Sequence, residues 1–265
     1  MTGSAAPPLL TIITVTENPN SPAFLDTARS IGDALTTDMP VEWLIVPGKA
    51  GANSPAGADI LPTNNQGIYP AMNDGLTAAK GTYVWFLNGG DRLASPAALE
   101  AVLECPSSEQ PDFLYADSHE FGGTVPADVR LKPARPALAW PLGMFTHHQA
   151  MIYRRMLVPD AHYPTHHDVA ADYAFTIQHL QSAARTVRLP MAIADISVGG
   201  FSSQNSARGR EQQHQIRCQL GGVPRFLSLT IRGMQWCSQG VRARLPWVWH
   251  RLRMERPTRS ATTSY

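Results

Sequence analysis

Asn88-Gly89-Gly90-Asp91 follows the apolar run TYVWFL at 82–87, so a buried strand delivers an amide, two glycines and a carboxylate at its end. Oxygen ligands of this kind suit a hard divalent cation, and glycine lets backbone N–H groups approach a phosphate. The same four residues are also ordinary turn formers, because Asn and Asp bond their own backbone and glycine accepts positive φ. Taken alone, the stretch fits a plain turn at least as well as a ligand loop.

The surrounding elements shift that balance. LLTIITVT (9–16) is β-branched and apolar and leaves into Glu17-Asn18-Pro19. Residues 22–35 place Phe24, Leu25, Ala28, Ile31 and Leu35 on one side of a helix. VEWLIV (41–46) is a second buried strand stopped by Pro47-Gly48, and GIYPAMNDGLTAAKG is a short helix with Gly81 as its stop. Strand–helix alternation with apolar strands predicts an α/β fold with a largely parallel sheet covered on both faces. Ligands of such sheets bind beyond the carboxyl ends of the strands. The polar ends Thr16-Glu17-Asn18, Pro47-Gly48-Lys49 and Asn88–Asp91 are then expected at one edge.

Further along, SPAALEAVLE reads as a helix capped by Ser95, with Pro96 at its first position. DFLYADSHEF and TVPADVRL read as two strands about a Gly-Gly turn, and HHQAMIYRR (147–155) as a strand with a polar entrance. DVAADYAFTIQHL (168–180) is a helix and AIADISVGGFS (192–202) a strand entering a Gly-Gly loop. With 265 residues, 43% of them hydrophobic, the chain has length for one α/β domain plus an appendage. Cys105, Cys218 and Cys237 lack CxxC spacing, which argues against a zinc or disulfide framework and fits a reducing cytoplasm. No apolar run approaches the ~20 residues that span a bilayer, and MTGSAAPPLL lacks the features of a secretory signal, so a soluble chain is expected.

In that order, GIYPAMNDGLTAAKGTYVWFLNGGD, HHQAMIYRR, AADYAF and ISVGGFS resemble the inverting family 2 glycosyltransferases of GT-A fold. The resemblance is to bacterial enzymes of polysaccharide and glycolipid biosynthesis and covers about 9–203. Each motif alone is weak; the ordered set is specific. It implies a Rossmann-like, mostly parallel sheet flanked by helices, with a nucleotide-binding half at about 8–91 and an acceptor half at about 92–203. It also implies transfer of a sugar from a nucleotide donor, UDP-linked by default, to a hydroxyl of a lipid-linked or other glycan acceptor.

The resemblance assigns roles residue by residue. Asp91 is the ligand of Mn²⁺ or Mg²⁺, although the family's Asp-X-Asp positions read Asn88-Gly89-Gly90 here. Asp172, in AADYAF, is the general base, with Asp168 as its rival or as a helix cap. Thr16, Asn18, Asn88, Gly199 and Gly200 are expected at the nucleotide and its phosphates, and His148, Gln149 and Arg154 at the substrate. The nucleotide end departs from the pattern. Pro47-Gly48-Lys49-Ala50 stands where relatives carry Asp-Gly-Gly-Ser, and Asn65 where they carry Asp. Those losses keep a non-catalytic binding subunit in view. A nucleotidyltransferase fits less well, since ENPNSPAF is not a glycine-rich phosphate loop.

Charge separates the last segment from the rest. Residues 1–200 carry 11 Lys and Arg against 19 Asp and Glu, whereas 201–265 carry 11 Arg against two Glu. Within 204–256 the arginines interleave with Phe226, Trp236, Trp247, Trp249 and Leu252, a pattern suited to a helical segment at an anionic lipid surface. No nucleic-acid motif accompanies them. The expectation is a peripheral protein on the inner face of the cytoplasmic membrane, with 257–265 disordered.

Overall fold

The computed structural model describes residues 6–48, 55–63, 67–122, 129–157, 160, 162–200 and 204–244. Lys49, Asn65, Phe201, Ser202, Trp247, Trp249, Leu252 and the 257–265 tail lie outside them.

Strand β1 (Leu10–Thr16) is buried along its whole length because it is flanked on both sides. It pairs in parallel with β2 (Val41–Pro47) and β4 (Tyr83–Phe86), and β2 pairs in parallel with β3 (Asp59–Ile60). Helix α1 (Pro22–Gly32) starts where Ser21 Oγ accepts the Phe24 N–H at 3.2 Å, and α2 (Ile68–Ala78) precedes β4. Helix α2 ends at Ala78 rather than at Gly81. Gly81 instead lets the chain pass β1: a Cβ there would lie 2.5 Å from Thr11 N.

The second half adds β5 (Arg92–Leu93), α3 (Pro96–Glu109), β6 (Phe113–Phe121), β7 (Arg130–Lys132), β8 (Met151–Arg154), α4 (Ala171–Ser182) and β9 (Thr186–Ser197). Ser95 caps α3 as expected, accepting the Ala98 N–H at 3.2 Å. The strand order is β3-β2-β1-β4-β8-β6-β9-β5, with β7 on β6. The first four strands of that order are all parallel. Strand β8 then runs antiparallel to both β4 and β6, and β9 runs parallel to β6. The polar entrance at His148–Ala150 is a 3-10 turn, not strand.

Alternate strand residues supply two cores. Ile12, Trp43, Trp85 and Leu114 pack with Phe24 and Ile31 of α1 and Leu99 and Val102 of α3. Ile13, Leu44, Phe86 and Phe113 pack with Tyr69 and Met72 of α2 and Phe175 of α4. Two further helices, α5 (Ser206–Gln219) and α6 (Arg225–Arg244), follow. Helix α5 seats Ile216 against Ala170, Tyr173, Ala174 and Ile177.

Candidate active site

The end of β4 is tied down by short-range chemistry. Leu87 N–H donates to Ile13 O at 3.0 Å and Gly89 N–H to Val15 O at 2.8 Å, which lays the loop beside the end of β1. Gly89 passes so close to Thr16 that a Cβ would lie 2.7 Å from its Oγ1, and Gly90 has φ +104°, so both positions require glycine. Thr27 of α1 fastens the loop from below, accepting the Gly90 N–H at 2.9 Å and donating to Asp91 O at 2.5 Å. The Asp91 N–H closes a turn on Asn88 O at 3.0 Å. The loop is therefore a tight turn that also drives a carboxylate inward.

Asp91 is 7% exposed. Its Oδ2 accepts from Gln149 Nε2 at 2.7 Å and its Oδ1 from the Ser197 N–H at 3.0 Å. Burial pushes its carboxyl up to about 7, although both hydrogen bonds favour the charged form. Beside it, Asn88 Oδ1 is buried with no hydrogen-bond partner among the described residues. A carboxylate with spare lone pairs and an orphaned amide oxygen are hard donors that fit Mg²⁺ or Mn²⁺. No group of three or more His, Cys, Asp or Glu side chains able to hold a metal occurs among the described residues. A cation here would therefore take most of its ligands from phosphates and water, as Mg²⁺ usually does.

Asp172 lies in the first turn of α4. Its Oδ1 accepts the Tyr173 N–H at 2.8 Å and, at 3.4 Å, the Tyr69 hydroxyl. Burial raises its carboxyl to about 6 against the pull of those two donors. Tyr69 belongs to the first turn of α2, which leads into β4 and so begins at the carboxyl edge of the parallel strands. Asp172 and Asp91 thus share that edge, Asp91 against α1 and Asp172 against α2.

Gln149 and His148 join the two settings. Gln149 turns to Asp91, while His148 turns the other way, with its Nε2 2.9 Å from the Tyr163 hydroxyl. Tyr163 stacks on Tyr69 at 5.6 Å between ring centroids, and Asn73 brackets its backbone at 2.8 and 3.0 Å. Tyr69 and Asn73, four residues apart in GIYPAMN, therefore hold Tyr163 beside His148, and Tyr69 also meets Asp172. The motif's spacing on one helix face signalled that role, and sequence reasoning missed it.

Several expected residues are placed otherwise. Arg154 does not reach this edge: β8 is antiparallel to β4 and pairs Arg154 with Tyr83, at the far end from Asn88. There Arg154 holds Asp112 at 3.1 Å. His148 is 6% exposed among Phe86, Tyr153 and Tyr163, and burial, seconded by His179, pushes its imidazole down to about 3. That is a neutral core histidine bonded to Tyr163, not a direct sugar contact. Gln149 likewise spends its amide on Asp91. Asp168 is no helix cap; it accepts Gln212 Nε2 at 2.7 Å and pairs with Arg208 at 2.9 Å.

Thr16 lies under Gly89, and its carbonyl accepts the Gly48 N–H at 2.8 Å, so the ends of β1, β2 and β4 do converge. Asn18 is exposed and forms a turn with Asn20 N–H at 3.0 Å. Gly199 and Gly200 are exposed just beyond Ser197, and Gln204 bonds both carbonyls, at 2.9 and 3.3 Å. On the β6 side, Glu120 meets Lys132 at 3.1 Å and His147 at 3.2 Å.

No protein-family model matches the sequence. Glycosyltransferases of PGL/p-HBAD biosynthesis from Mycobacterium bovis and Mycobacterium tuberculosis are 30% identical over 149 residues, 52% of this chain and 54% of theirs. The match thus spans about half the length of these relatives. Among solved structures, S. aureus TarS 1–349 in complex with UDP superposes with TM-score 0.61 at 15% identity, covering 93% of this chain and 75% of that one. The Pyrobaculum calidifontis mannosyltransferase PcManGT, in complex with GDP-Man and Mn²⁺, gives 0.60 at 14% identity over 92% and 78%. Glucosyl-3-phosphoglycerate synthase from Mycobacterium tuberculosis, with Mn²⁺ and UDP, gives 0.56 at 14% identity over 82% and 81%. A curled sheet with helices on both faces and this set of neighbours identify the architecture of the chain as the GT-A glycosyltransferase fold.

Proposed function

We propose that the chain is an inverting family 2 glycosyltransferase that moves a sugar from a nucleotide-sugar donor to a hydroxyl of a lipid-linked glycan. The observation that carries this reading is the pair Asp91 and Asp172 at one sheet edge, joined through Gln149, His148, Tyr163 and Tyr69. The named relatives and the nucleotide ligands of the fold neighbours support the reaction class, with a UDP-sugar as default donor.

Asp172 acts as the base. A carboxyl raised to about 6 by burial is ionised at neutral pH yet more basic than an exposed one. As the acceptor oxygen forms its bond to the anomeric carbon, the bond from that carbon to the diphosphate oxygen breaks. The hydroxyl proton passes to Asp172 and the nucleoside diphosphate leaves, so a single displacement inverts the centre. Asp91 and Asn88 would hold Mn²⁺ or Mg²⁺, which would supply positive charge for the diphosphate leaving group. Thr16 and the Gly199-Gly200 backbone border the nucleotide.

The acceptor would be met at a membrane. No helix among the described residues is long and apolar enough to cross one. Helix α6, however, turns Ser228 and Gln235 toward the body and leaves Phe226 74%, Trp236 69% and Met234 52% exposed. An outward apolar face in an arginine-rich segment suits a helix lying in anionic headgroups. Sedimentation with phosphatidylglycerol vesicles should be lost in a Phe226→Asp, Trp236→Asp double variant and be unchanged if α6 does not dock.

Calorimetric titration with UDP-glucose, UDP-GlcNAc and GDP-mannose, with and without Mn²⁺, tests the donor assignment. Binding of at least one, tighter with Mn²⁺ and followed by release of free nucleotide, is expected. Absence of binding to all three would instead favour a non-catalytic subunit.

A further inference from the structure

Asp172 is held only weakly by its own side chain: one bond goes to the next backbone N–H, and the other, to Tyr69, is 3.4 Å long. Its direction is therefore inherited from the backbone entering α4. That entry, Asp168-Val169-Ala170, ends in an alanine, which offers no capping side chain. Val169 and Ala170 are 5% and 2% exposed, so their N–H groups need partners from elsewhere in the chain.

Gln212 of α5 is that partner. Its Oε1 accepts both the Val169 and Ala170 N–H groups at 3.0 Å, and its Nε2 donates to Asp168 Oδ1 at 2.7 Å. Arg208, one turn earlier, adds its Nε at 2.9 Å to the same Asp168 oxygen. From the other side the Tyr69 hydroxyl donates to Val169 O at 2.9 Å. Three consecutive residues before the helix are thus gripped between α2 and α5.

We propose that Gln212 is a positioning residue for Asp172, which makes α5 a support of the active site rather than an appendage to it. The inference rests on the reading of Asp172 as the base. Loss of the amide leaves two buried N–H groups without a partner, and the entry can relieve that only by opening to water and re-aiming the first turn. Displacement of a reacting group by about 1 Å can cost up to about a hundredfold in rate.

The test compares the parent, Q212A, Q212E and D172N as full-length chains. Donor turnover is read as nucleotide release from UDP-glucose, UDP-GlcNAc and GDP-mannose with water as acceptor, and UDP affinity by calorimetry. Q212A is expected to keep UDP affinity within about twofold while kcat falls about tenfold or more. Q212E keeps an acceptor for both N–H groups but sets a second carboxylate against Asp168 in place of the 2.7 Å amide bond, so it should recover most of that rate only when combined with Asp168→Asn. A second readout needs no donor: the Asp172 carboxyl titration followed by ¹³C NMR. In Q212A its midpoint should fall by roughly one pH unit toward the ordinary carboxylate range as water enters.

Parent-like kcat together with an unmoved Asp172 midpoint in Q212A would overturn the inference, and where no donor turns over the midpoint alone decides it. Full turnover by D172N would overturn the base assignment whatever Q212A does. Inactive D172N beside parent-like Q212A would overturn only the role of Gln212. Should Q212A fail to fold, Asp168→Ala removes the acceptor that holds the Gln212 amide in place and carries both readouts.

Discussion

The two carboxylates of the site are raised by the same cause and held by opposite means. Asp91 is fixed locally: a turn, two obligatory glycines and Thr27 aim it, and both its oxygens accept hydrogen bonds. Asp172 is fixed at long range, by Tyr69 from α2 and by the grip of Gln212 on its helix entry. The chemistry follows the difference. Burial pushes the Asp91 carboxyl up to about 7 with both oxygens engaged, which suits the anchor role proposed for it. A carboxyl raised to about 6 is ionised at neutral pH and more basic than an exposed one, which suits the base role proposed for Asp172.

Substitutions can break this contrast at either end. Asp172→Asn should keep Mn²⁺-dependent UDP affinity and lose turnover by about a hundredfold or more. Asp91→Asn should do the reverse in binding, abolishing the Mn²⁺ effect on UDP affinity. Calorimetry and nucleotide release on both variants check this, and equal effects on affinity would erase the distinction between anchor and base.

Stability against pH sharpens the comparison. The folded-state carboxyl of Asp172 is raised from 3.8 to about 6, so the folded chain holds that proton more tightly than the unfolded one. Ionising it therefore costs stability as pH rises from about 4 to about 6, and the cost is complete above that. Asp172→Asn should be more stable than the parent at pH 8, by up to about 3 kcal/mol, with the gap closing below about pH 4. Denaturant melts across that range read it, and a gap independent of pH would assign the effect to something other than the carboxylate.

Smaller effects separate the Asp91 loop from the rest of its sheet. Gly90→Ala forces a side chain into φ +104° and should cost about 1–3 kcal/mol, with weaker UDP binding as Asp91 shifts. Arg154→Ala removes a half-exposed pair with Asp112 at the far edge and should cost under about 1 kcal/mol with UDP affinity unchanged. Thermal melts and UDP titrations check both, and a drop in affinity for Arg154→Ala would return that residue to the site.

The sequence by itself determined the elements and the Asp91 loop. β-branched runs made buried strands, Ser21-Pro22 and Ser95-Pro96 started helices, and an amide, two glycines and an acid closed a turn, because each is an interaction within a few residues. Tertiary structure decided what those elements face. Arg154 reads as a site residue until β8 proves antiparallel to β4, since alternating burial records the faces of a strand and not its direction. His148 and Gln149 are neighbours in sequence, yet one enters an aromatic core and the other reaches Asp91. Gln212 carries no local signal at all: its partners lie more than 40 residues away, and only the packing of α5 on α4 brings an amide to two N–H groups that an alanine cannot satisfy.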